Sequence, residues 1–592
     1  MFSHAHDFKI EKSTFTENRV EITDNERSGL RELLSHSMRD AFHDSSARWP
    51  PPMCHPGTQE DRISLIVDWG MGTSEHTESI HWMDGPFGVG KSALAQTCAE
   101  KLEQKGKLGA SLFFSRPNRR NNPTRVFPSI SYQIAAKSPP LATIIDHSIR
   151  QRPTVLDAAL PTQFEQLLVN PLRQLSPAEA AAIKESVIIL DGLDELEGPD
   201  MQCAVIDLVV TSVRDKSTPF RWFITSRPEP HIIRSMAAAD VAPLVFRKEL
   251  PLSKEDSEIL LYVTEELQKI STKHGLAAPW PSKEDIAVIV VLSARLWAYA
   301  AAVVRFIGQS PSLGPVRQLS IVLALAPHAQ KNSEAPNPLA PIDLLYTLIL
   351  QQLPVELKSL ICKILLFRQR LGFLGPYWVS LALALSKVDF CSACDSLPAV
   401  LHLDDDLHIE FYHASFMDYM EDPKRSQDFC IYGNTLVICR HEVLEQLNKV
   451  HTQGTVDGLV VKWENPSKSD PELSMYHALV VLLEHLCSIT GYPLDSFTVT
   501  SLLNFQFNMI PLLLKNYDSR VYWVKPQNTI ANIPKEYRKK IIHQSKNPFN
   551  LLSKPEYAVG NRPYILGQGK NKLVCWADKD GDLVLHWVDH PK

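Results

Sequence analysis

A glycine-rich run that ends in a lysine and a serine is the clearest candidate for chemistry in this sequence. It fits the pattern G-x-x-x-x-G-K-[ST] at every required position. Its residues are Gly85, Pro86, Phe87, Gly88, Val89, Gly90, Lys91 and Ser92, and Ala93 opens the next segment. Glycines let such a loop curl until several backbone N–H groups converge on phosphate oxygens, because no Cβ atom blocks the approach. Lys91 would supply charge to the β- and γ-phosphates of a nucleoside triphosphate, and the Ser92 hydroxyl would bind Mg²⁺.

An accidental glycine-rich turn is the alternative for this loop. The flanking pattern argues against it, since an apolar stretch, 80–83, precedes the loop and a helical pattern, KSALAQTCAEKLEQ, follows it. A helix that begins there directs the positive end of its dipole at the same anion.

Three acidic residues follow a second apolar run, SVIILD at 186–191. Asp191 at the tip of this buried strand is the candidate Mg²⁺ ligand, usually through a water molecule. Asp194 and Glu195 lie just beyond, where a carboxylate could orient or deprotonate an attacking water, and Glu195 is the favoured candidate. The alternative is that Asp194 and Glu195 merely cap the following helix.

A third candidate residue follows the end of another predicted strand, FRWFITS at 220–226. A guanidinium at this position, that of Arg227, would register the presence or loss of a γ-phosphate bound beside the neighbouring strand. Taken alone, Arg227 is better interpreted as a surface arginine before a proline turn, and it is the two earlier motifs that favour the functional role.

The elements that must position these residues form an alternating pattern of strands and helices. Such a pattern predicts an α/β fold, a parallel sheet with helices on both faces, which binds ligands at the carboxyl ends of its strands. The strand candidates are 79–84, 109–115, 186–191, 220–226 and 243–250. The continuous apolar run VIIL predicts a central strand that is covered on both faces.

Composition narrows the class of protein. The chain has 592 residues, of which 44% are hydrophobic and 22% charged, as in globular proteins with several domains. The net charge of −6 gives no footprint for nucleic-acid binding, although it is compatible with a local basic patch. Ten cysteines without dense regular spacing and a polar amino terminus predict a reducing, cytoplasmic location. Residues 286–307 are the best approach to a membrane span, but Arg295 near the centre favours a buried helix.

The remaining regions differ in pattern. Residues 1–45 are polar, with one possible helix at 27–42, and four prolines at 50–56 mark a boundary. Amphipathic helical patterns dominate from 253 to about 430, where Ser253 and Asp256 give an imperfect capping signal. The end of the chain contains two β-rich runs joined by Asp580-Gly581, which predict a hairpin.

The three motifs together resemble a known family. GPFGVGKSA, VIILDGLDEL and FITSRPEP, in this order and spacing, are similar to the NACHT class of STAND NTPases, signalling relatives of AAA+ proteins. LFFSRPNRRNNPTRVFPSISYQIA and CHPGTQEDRI resemble fungal NOD-like members, although Gln59 stands where these usually carry arginine. The opening MFSHAHDFKIEKSTFTEN resembles leaders found in mushroom-forming fungi.

The resemblance extends to a winged-helix region. FYHASFMDYMEDPKRS is similar to the H-x-S-F-x-D-F-L segment of the family, which implies that His413 contacts the β-phosphate of a nucleoside diphosphate in a closed state. The implied domains are a leader (1–45), a NACHT nucleotide-binding domain (46–252), a helical domain (253–345), a winged-helix-like domain (346–432) and a C-terminal region of unknown function (433–592). The sequence departs from its relatives at Ala294-Arg295, where Gly-Gly is common, and this puts the local helix geometry in doubt.

Two function hypotheses follow. The first is a signalling switch that binds ATP or GTP with Mg²⁺, hydrolyses it slowly and self-associates in a nucleotide-dependent way, with unknown protein signalling partners and no membrane span. The second is an interaction scaffold that binds nucleotide without turnover. A small-molecule kinase is disfavoured, since over 300 residues follow the nucleotide domain.

Three weaker signals are set aside. Cys391 and Cys394 lack a second close pair of zinc ligands. Residues 578–582 resemble a Ca²⁺ loop, but the glycine is misplaced, so a turn is favoured. Phe8, Ile10 and Phe15 of the leader could template strand pairing between subunits.

Overall fold

The computed structural model describes most of the chain. The described residues are 27–251, 256–309, 314–326, 339–371, 375–463, 470–487, 489, 491–503, 505 and 513, with the backbone of 564–566, 571–577 and 583–589. The predicted strand pairing of Phe8, Ile10 and Phe15, the Ser253 capping signal and the turn at 578–582 lie outside the described residues.

Five parallel strands form one sheet. They are β1 (Ile80–Asp84), β2 (Leu108–Phe113), β3 (Val187–Asp191), β4 (Arg221–Ser226) and β5 (Val245–Glu249). Their spatial order is β2-β3-β4-β1-β5, so β4 lies between the strand before the glycine-rich loop and the strand that ends in Asp191. The predicted α/β parallel sheet is confirmed.

The central strand β3 is buried on both faces, as its apolar run predicts. Ile188 and Leu190 belong to one buried cluster, while Val187 and Ile189 point into the other. Because successive side chains of a strand alternate between faces, a strand covered by helices on both sides needs apolar residues at every position.

Helices cover both faces of the sheet. One face is covered by Glu60–Met71 and Lys91–Gln104. The other is covered mainly by Val126–Lys137, Pro139–Gln151 and Pro199–Arg214. Shorter helices complete this sheet domain: Leu160–Phe164, Asn170–Arg173, Pro177–Ile183 and Pro230–Met236.

The described end of the predicted leader packs on the sheet domain. The predicted helix over 27–42 is shorter in the structure, Ser28–Ser35, and a 3-10 turn, Arg39–Ala41, follows it. Leu33 and Ala41 are fully buried in the cluster on one face of the sheet. The backbone N–H of Met38 donates to Ser129 Oγ at 2.8 Å, which fixes the segment to the helix beneath it.

A helical region follows the sheet domain. Its helices are Ser257–His274, Lys283–Leu292, Trp297–Gln309, Gly314–Leu323 and Ala340–Gln351. The region that the resemblance predicts to be winged-helix-like comes next, and its residues are called the winged-helix-like unit. It is formed by Val355–Leu371, Pro376–Ala382, Lys387–Asp395, the antiparallel strands β6 (Leu401–Leu403) and β7 (Ile409–Phe411), and Ser415–Glu421. After the short helix Pro423–Ser426, three helices close the described helical part, Asn434–Gln453, Pro471–Cys487 and Ser496–Leu503. One buried apolar cluster runs through all of these regions.

The prediction of one buried helix over 286–307 is wrong. The segment is two helices, since the first ends at Leu292 and the second begins at Trp297, and Ala294-Arg295 lies in the break between them. Ala294 and Arg295 between them have φ of 45° and 66°, a left-handed backbone that glycine adopts without strain and other residues do not. Within the described residues, no helix is long and apolar enough to cross a membrane.

Two other regions bear on earlier expectations. Cys391 and Cys394 lie in the helix Lys387–Asp395, and Cys394 is buried in the apolar cluster. Near the end of the chain, β9 (Asn571–Ala577) pairs antiparallel with β10 (Leu583–Asp589), which confirms the predicted hairpin, and β8 (Tyr564–Leu566) adds a third strand.

Candidate functional site

The glycine-rich loop leaves the buried strand β1 and turns directly into a helix. A Cβ atom on Gly85 would lie 2.4 Å from the carbonyl oxygen of Leu250, so a side chain has no room there. Gly88 and Gly90 have φ of 72° and 95°, and the helix begins at Lys91. Glycine is therefore required by sterics at Gly85 and by conformation at the other two positions.

Lys91 turns its charge into the loop. Its Nζ donates hydrogen bonds to the carbonyl oxygens of Gly85 and Pro86, both at 2.8 Å. Burial lowers the pKa of Lys91, and the nearby carboxylates of Asp194 and Asp191 act in the opposite direction. The ammonium of Lys91 thus lies against the loop backbone and near the carboxylates of Asp194 and Asp191.

Asp191 and Ser92 meet at the carboxyl ends of the strands. The Ser92 hydroxyl is hydrogen-bonded to the Asp191 carboxylate. Thr225 of β4 donates from Oγ1 to Asp191 Oδ1 at 2.6 Å and accepts from the N–H of Gly192 at 3.0 Å. Burial raises the pKa of Asp191, while the bonds from Thr225 and Ser92 oppose the shift. A hydroxyl and a carboxylate, the hard oxygen donors that Mg²⁺ prefers, are thereby brought together.

The turn after β3 depends on a glycine. Gly192 has φ of 72°, and it redirects the chain so that Asp194 faces the tip of β4. Asp194 Oδ1 accepts from the backbone N–H of Arg227 at 2.9 Å, and its Oδ2 lies 3.2 Å from Arg227 Nε. The structure therefore pairs Asp194 with Arg227.

Glu195 stands beside this pair. It is half-buried, and its Oε2 accepts from the backbone N–H of Arg116 at 3.0 Å. Burial, followed by the charge of Asp194, raises the pKa of Glu195 to about 7. A carboxyl group with a pKa near the working pH is suited to accept a proton from water.

Comparisons with known proteins agree with this geometry. Residues 64–227 match the model of the nephrocystin 3 N-terminal family. The match spans β1 to β4, the loop and the tip of β4 that carries Arg227. The domain that contains these residues has the P-loop NTPase fold, with the glycine-rich loop between β1 and the helix that begins at Lys91.

Two solved structures are similar at low identity. The Walker-type ATPase of Pyrococcus abyssi is 11% identical with a TM-score of 0.30, over 62% of this chain and 97% of that protein. A DNA replication initiation factor is 11% identical with a TM-score of 0.25, over 58% of this chain and 86% of that protein. A search of the curated proteins found no match.

His413 of the winged-helix-like unit lies against the P-loop. Its ring contacts that of Phe87 edge to face, with 4.4 Å between the centroids, and its Nδ1 accepts from the N–H of Ser415 at 3.2 Å. Burial, followed by the charges of Arg227 and Lys91, lowers the pKa of His413 to about 3. The ring is therefore neutral near pH 7, and since Nδ1 accepts, the single proton is on Nε2.

The same unit also reaches Arg227. Asp418 Oδ2 lies 3.7 Å from Arg227 Nη2, while Phe87 packs beneath the guanidinium at 5.6 Å. Burial opposes the charge of Arg227, but Asp194, Glu195 and Asp418 outweigh it and raise its pKa. Asp418 lies within the H-x-S-F-x-D run, but no pattern in the sequence indicates Arg227 as its partner.

The helical region covers the other side of the P-loop. The N–H of Ala298 donates to the carbonyl oxygen of Gly88 at 3.2 Å, and Trp297 packs over Gly90. Both residues come directly after the left-handed pair Ala294-Arg295, so that strained turn aims the second helix at the loop.

Gln59, where relatives usually carry arginine, binds the helical region. Its backbone N–H and its Nε2 both donate to the carboxylate of Glu258, at 2.8 and 2.6 Å. The amide also accepts from Arg62 Nη1 at 2.8 Å, so the segment is fixed to the helix Ser257–His274 without a charge of its own.

The loop after β2 joins the P-loop domain to the hairpin of the winged-helix-like unit. Asn118 exchanges two hydrogen bonds with the backbone of Phe411, at 2.9 and 3.0 Å. Arg120 Nη1 and Glu410 Oε2 form an ion pair at 2.8 Å in which both side chains are only 9% exposed. Arg119 donates to the carbonyl oxygen of Arg368. Asn118, Arg119 and Arg120 belong to the segment LFFSRPNRRNNPTRVFPSISYQIA, for which the sequence predicted a family resemblance but no contact.

The structure thus gathers the sequence-predicted residues at one edge of the sheet. Ser92 bonds Asp191, and Lys91 lies near enough to feel the charge of that carboxylate. Asp194 and Arg227 form a pair, and His413 comes from a distant part of the chain. The other residues that contact this site are Asp418, Thr225, Trp297 and Ala298.

Proposed function

We propose that this chain is a nucleotide-operated signalling switch of the NACHT/STAND type. In this proposal it binds ATP, or GTP, at Gly85–Ser92 with Mg²⁺, hydrolyses it slowly, and couples the state of the nucleotide to conformational change and self-association. The observation that carries the proposal is that the winged-helix-like unit reaches the P-loop through His413 and Asp418. A nucleotide in the loop would therefore contact two regions whose relative position can change.

A nucleotide can operate such a switch only if it binds the two conformations with different affinity. His413 presents one N–H donor beside the loop, which suits the β-phosphate of a diphosphate in the closed form, as the family resemblance implies. A third phosphate would lie toward Asp191 and Arg227. In the closed form the carboxylate of Asp418 is also present there, and in the open form it would not be. The γ-phosphate therefore supplies the differential affinity.

The donor set fits Mg²⁺. Ser92 and Asp191 would hold the ion, Asp191 through a water molecule, and the hydrogen bond from Thr225 orients the carboxylate. Bound there, Mg²⁺ would supply positive charge that offsets the negative charge of the phosphates. Lys91 adds a second positive charge to the same oxygens.

Glu195 is the proposed general base for hydrolysis. Its carboxylate stands beyond the tip of β3, and its pKa of about 7 lets it accept a proton near neutral pH. Asp194 is a positioning residue in this scheme, because both of its oxygens hold Arg227.

The alternative is a nucleotide-binding interaction scaffold without turnover. One observation favours it: Glu195 is held by the Arg116 N–H, and Arg227 is shared by two carboxylates, so both groups are already engaged. Tight nucleotide binding with no phosphate release would support the scaffold.

Phosphate release from the purified full chain, with Mg²⁺ and ATP or GTP, separates the two. Lys91→Ala should abolish binding and Glu195→Gln should keep binding but lose at least ten-fold in turnover, as expected for a general base. Lys101→Ala is a matched control, since Lys101 is an exposed lysine in the last turn of the same helix. If calorimetry shows that the folded chain binds none of ATP, ADP, GTP and GDP, both proposals are refuted. Size-exclusion chromatography with each nucleotide tests self-association.

A further inference from the structure

The guanidinium of Arg227 contacts two carboxylates, one from its own domain and one from the winged-helix-like unit. Asp194 has a side chain that is 5% exposed, comes from the same sheet and contacts both the backbone and Nε of Arg227. Asp418 has a side chain that is 32% exposed, comes from the winged-helix-like unit and contacts only Nη2, at 3.7 Å. The inner end of the guanidinium is therefore fixed, while its outer end faces a carboxylate that can leave.

The helix that carries Asp418 is anchored on its other side. Ser415 Oγ and Tyr346 OH lie 2.7 Å apart, and Tyr419 OH and Thr347 Oγ1 are also 2.7 Å apart. Ser415 and Tyr419 are both buried. The helix Ser415–Glu421 is therefore tied to the helix Ala340–Gln351 of the helical region, and Asp418 reaches Arg227 only while this packed pair of helices rests on the P-loop domain.

Negative charge accumulates around the outer end of Arg227. The carboxylates whose charges act on its guanidinium are Asp194, Glu195, Asp418 and Glu229. Arg227, Lys91 and the dipole of the helix that begins at Lys91 are the positive groups that face this region. A third phosphate adds negative charge and needs the guanidinium that Asp418 now contacts.

We propose that Asp418 is a specificity-determining residue that makes the closed form of this chain favour a nucleoside diphosphate over the triphosphate. Asp418 occupies the outer end of Arg227 and repels the third phosphate, whereas the first two phosphates are held by the loop and Lys91 and are affected much less. Departure of the winged-helix-like unit removes Asp418 and frees Arg227. This inference rests on the proposed nucleotide site and adds the residue that distinguishes the two nucleotides there.

Asp418→Asn tests the inference because it keeps the shape of the side chain and removes its charge. The probes are ADP and a non-hydrolysable ATP analogue, each with Mg²⁺, titrated into the full chain by calorimetry. We expect the ratio of the ATP-analogue affinity to the ADP affinity to rise about ten-fold, within the usual range for coupling between two interactions. Asp422→Asn is the matched control: it removes a charge four residues away at a helix N-cap, which asparagine caps equally well, and should leave the ratio unchanged.

A second background makes the test specific to Arg227. In an Arg227→Gln variant, the Asp418→Asn change should raise the ratio much less, because only the direct repulsion between Asp418 and the third phosphate remains to be removed. An unchanged ratio in Asp418→Asn, with both nucleotides still binding, overturns the inference and leaves the proposed function intact. A chain that binds neither nucleotide overturns the proposed function itself.

Discussion

The buried ion pair between Arg120 and Glu410 should control how firmly the winged-helix-like unit is docked on the P-loop domain. Both side chains are 9% exposed, and the atoms Nη1 and Oε2 lie 2.8 Å apart. Removing one partner from such a buried pair typically costs about 3–5 kcal/mol, because the other charge stays buried without compensation.

The two single variants should differ. After Arg120→Met, Glu410 retains a cationic neighbour in Arg368, so we expect docking to weaken by about 2–3 kcal/mol, below the usual range. After Glu410→Gln, the guanidinium groups of Arg119, Arg120 and Arg368 face one another with less compensation, so we expect about 4 kcal/mol or more. The double variant should cost less than the sum of the two, since the pair is lost only once.

Hydrogen exchange at Phe411 is a local measure of this docking. Its backbone N–H donates to Asn118 Oδ1 at 2.9 Å across the interface, so it exchanges when the hairpin undocks. A loss of about 3 kcal/mol corresponds to a fall in protection of roughly two orders of magnitude. Global unfolding is a less direct readout of docking, because the hairpin can undock in a local opening while both units stay folded. Equal and additive effects of the two single variants would refute the reasoning.

Two further predictions concern strain and pH. Ala294→Gly should raise the free energy of unfolding by about 0.5–1 kcal/mol, because φ is 45° at this position. Ala287→Gly, in the preceding helix, is the control and should lower the free energy of unfolding. A loss of stability in Ala294→Gly on thermal melting would contradict this prediction. Glu421 has its pKa raised from 4.5 to about 7 by burial and by Asp418, so its folded form favours the neutral carboxyl and loses stability as the pH rises through that range. The loss should reach about 1–3 kcal/mol by pH 8, and Glu421→Gln should flatten this part of the curve in denaturant titrations; a steeper curve in the variant would show the wrong sign.

The part of the site within one sheet was predictable from the sequence. Parallel strands place their carboxyl ends at one edge, so a loop after β1 and an aspartate after β3 must come close, and Ser92 and Asp191 do. The left-handed turn at Ala294-Arg295 was not predictable, because neither residue type favours that conformation.

Contacts between distant units were beyond the sequence patterns. Asn118 and Phe411 are 293 positions apart, and nothing in the local periodicity of either segment encodes the partner. The Arg227–Asp418 contact has the same origin, since it depends on how two domains pack rather than on any motif. His413 was found only because a family resemblance pointed to it.

The outer strand of the sheet limits how copies of this chain can join. β5 pairs with β1 on one side, and within the described residues no strand pairs with its other side. Arg247, Lys248 and Glu249 on this strand are exposed, and charged side chains of this kind discourage a second chain from extending the sheet. A second copy of the chain would therefore not extend the sheet at this edge, and contacts between copies here would involve side chains and not paired strands.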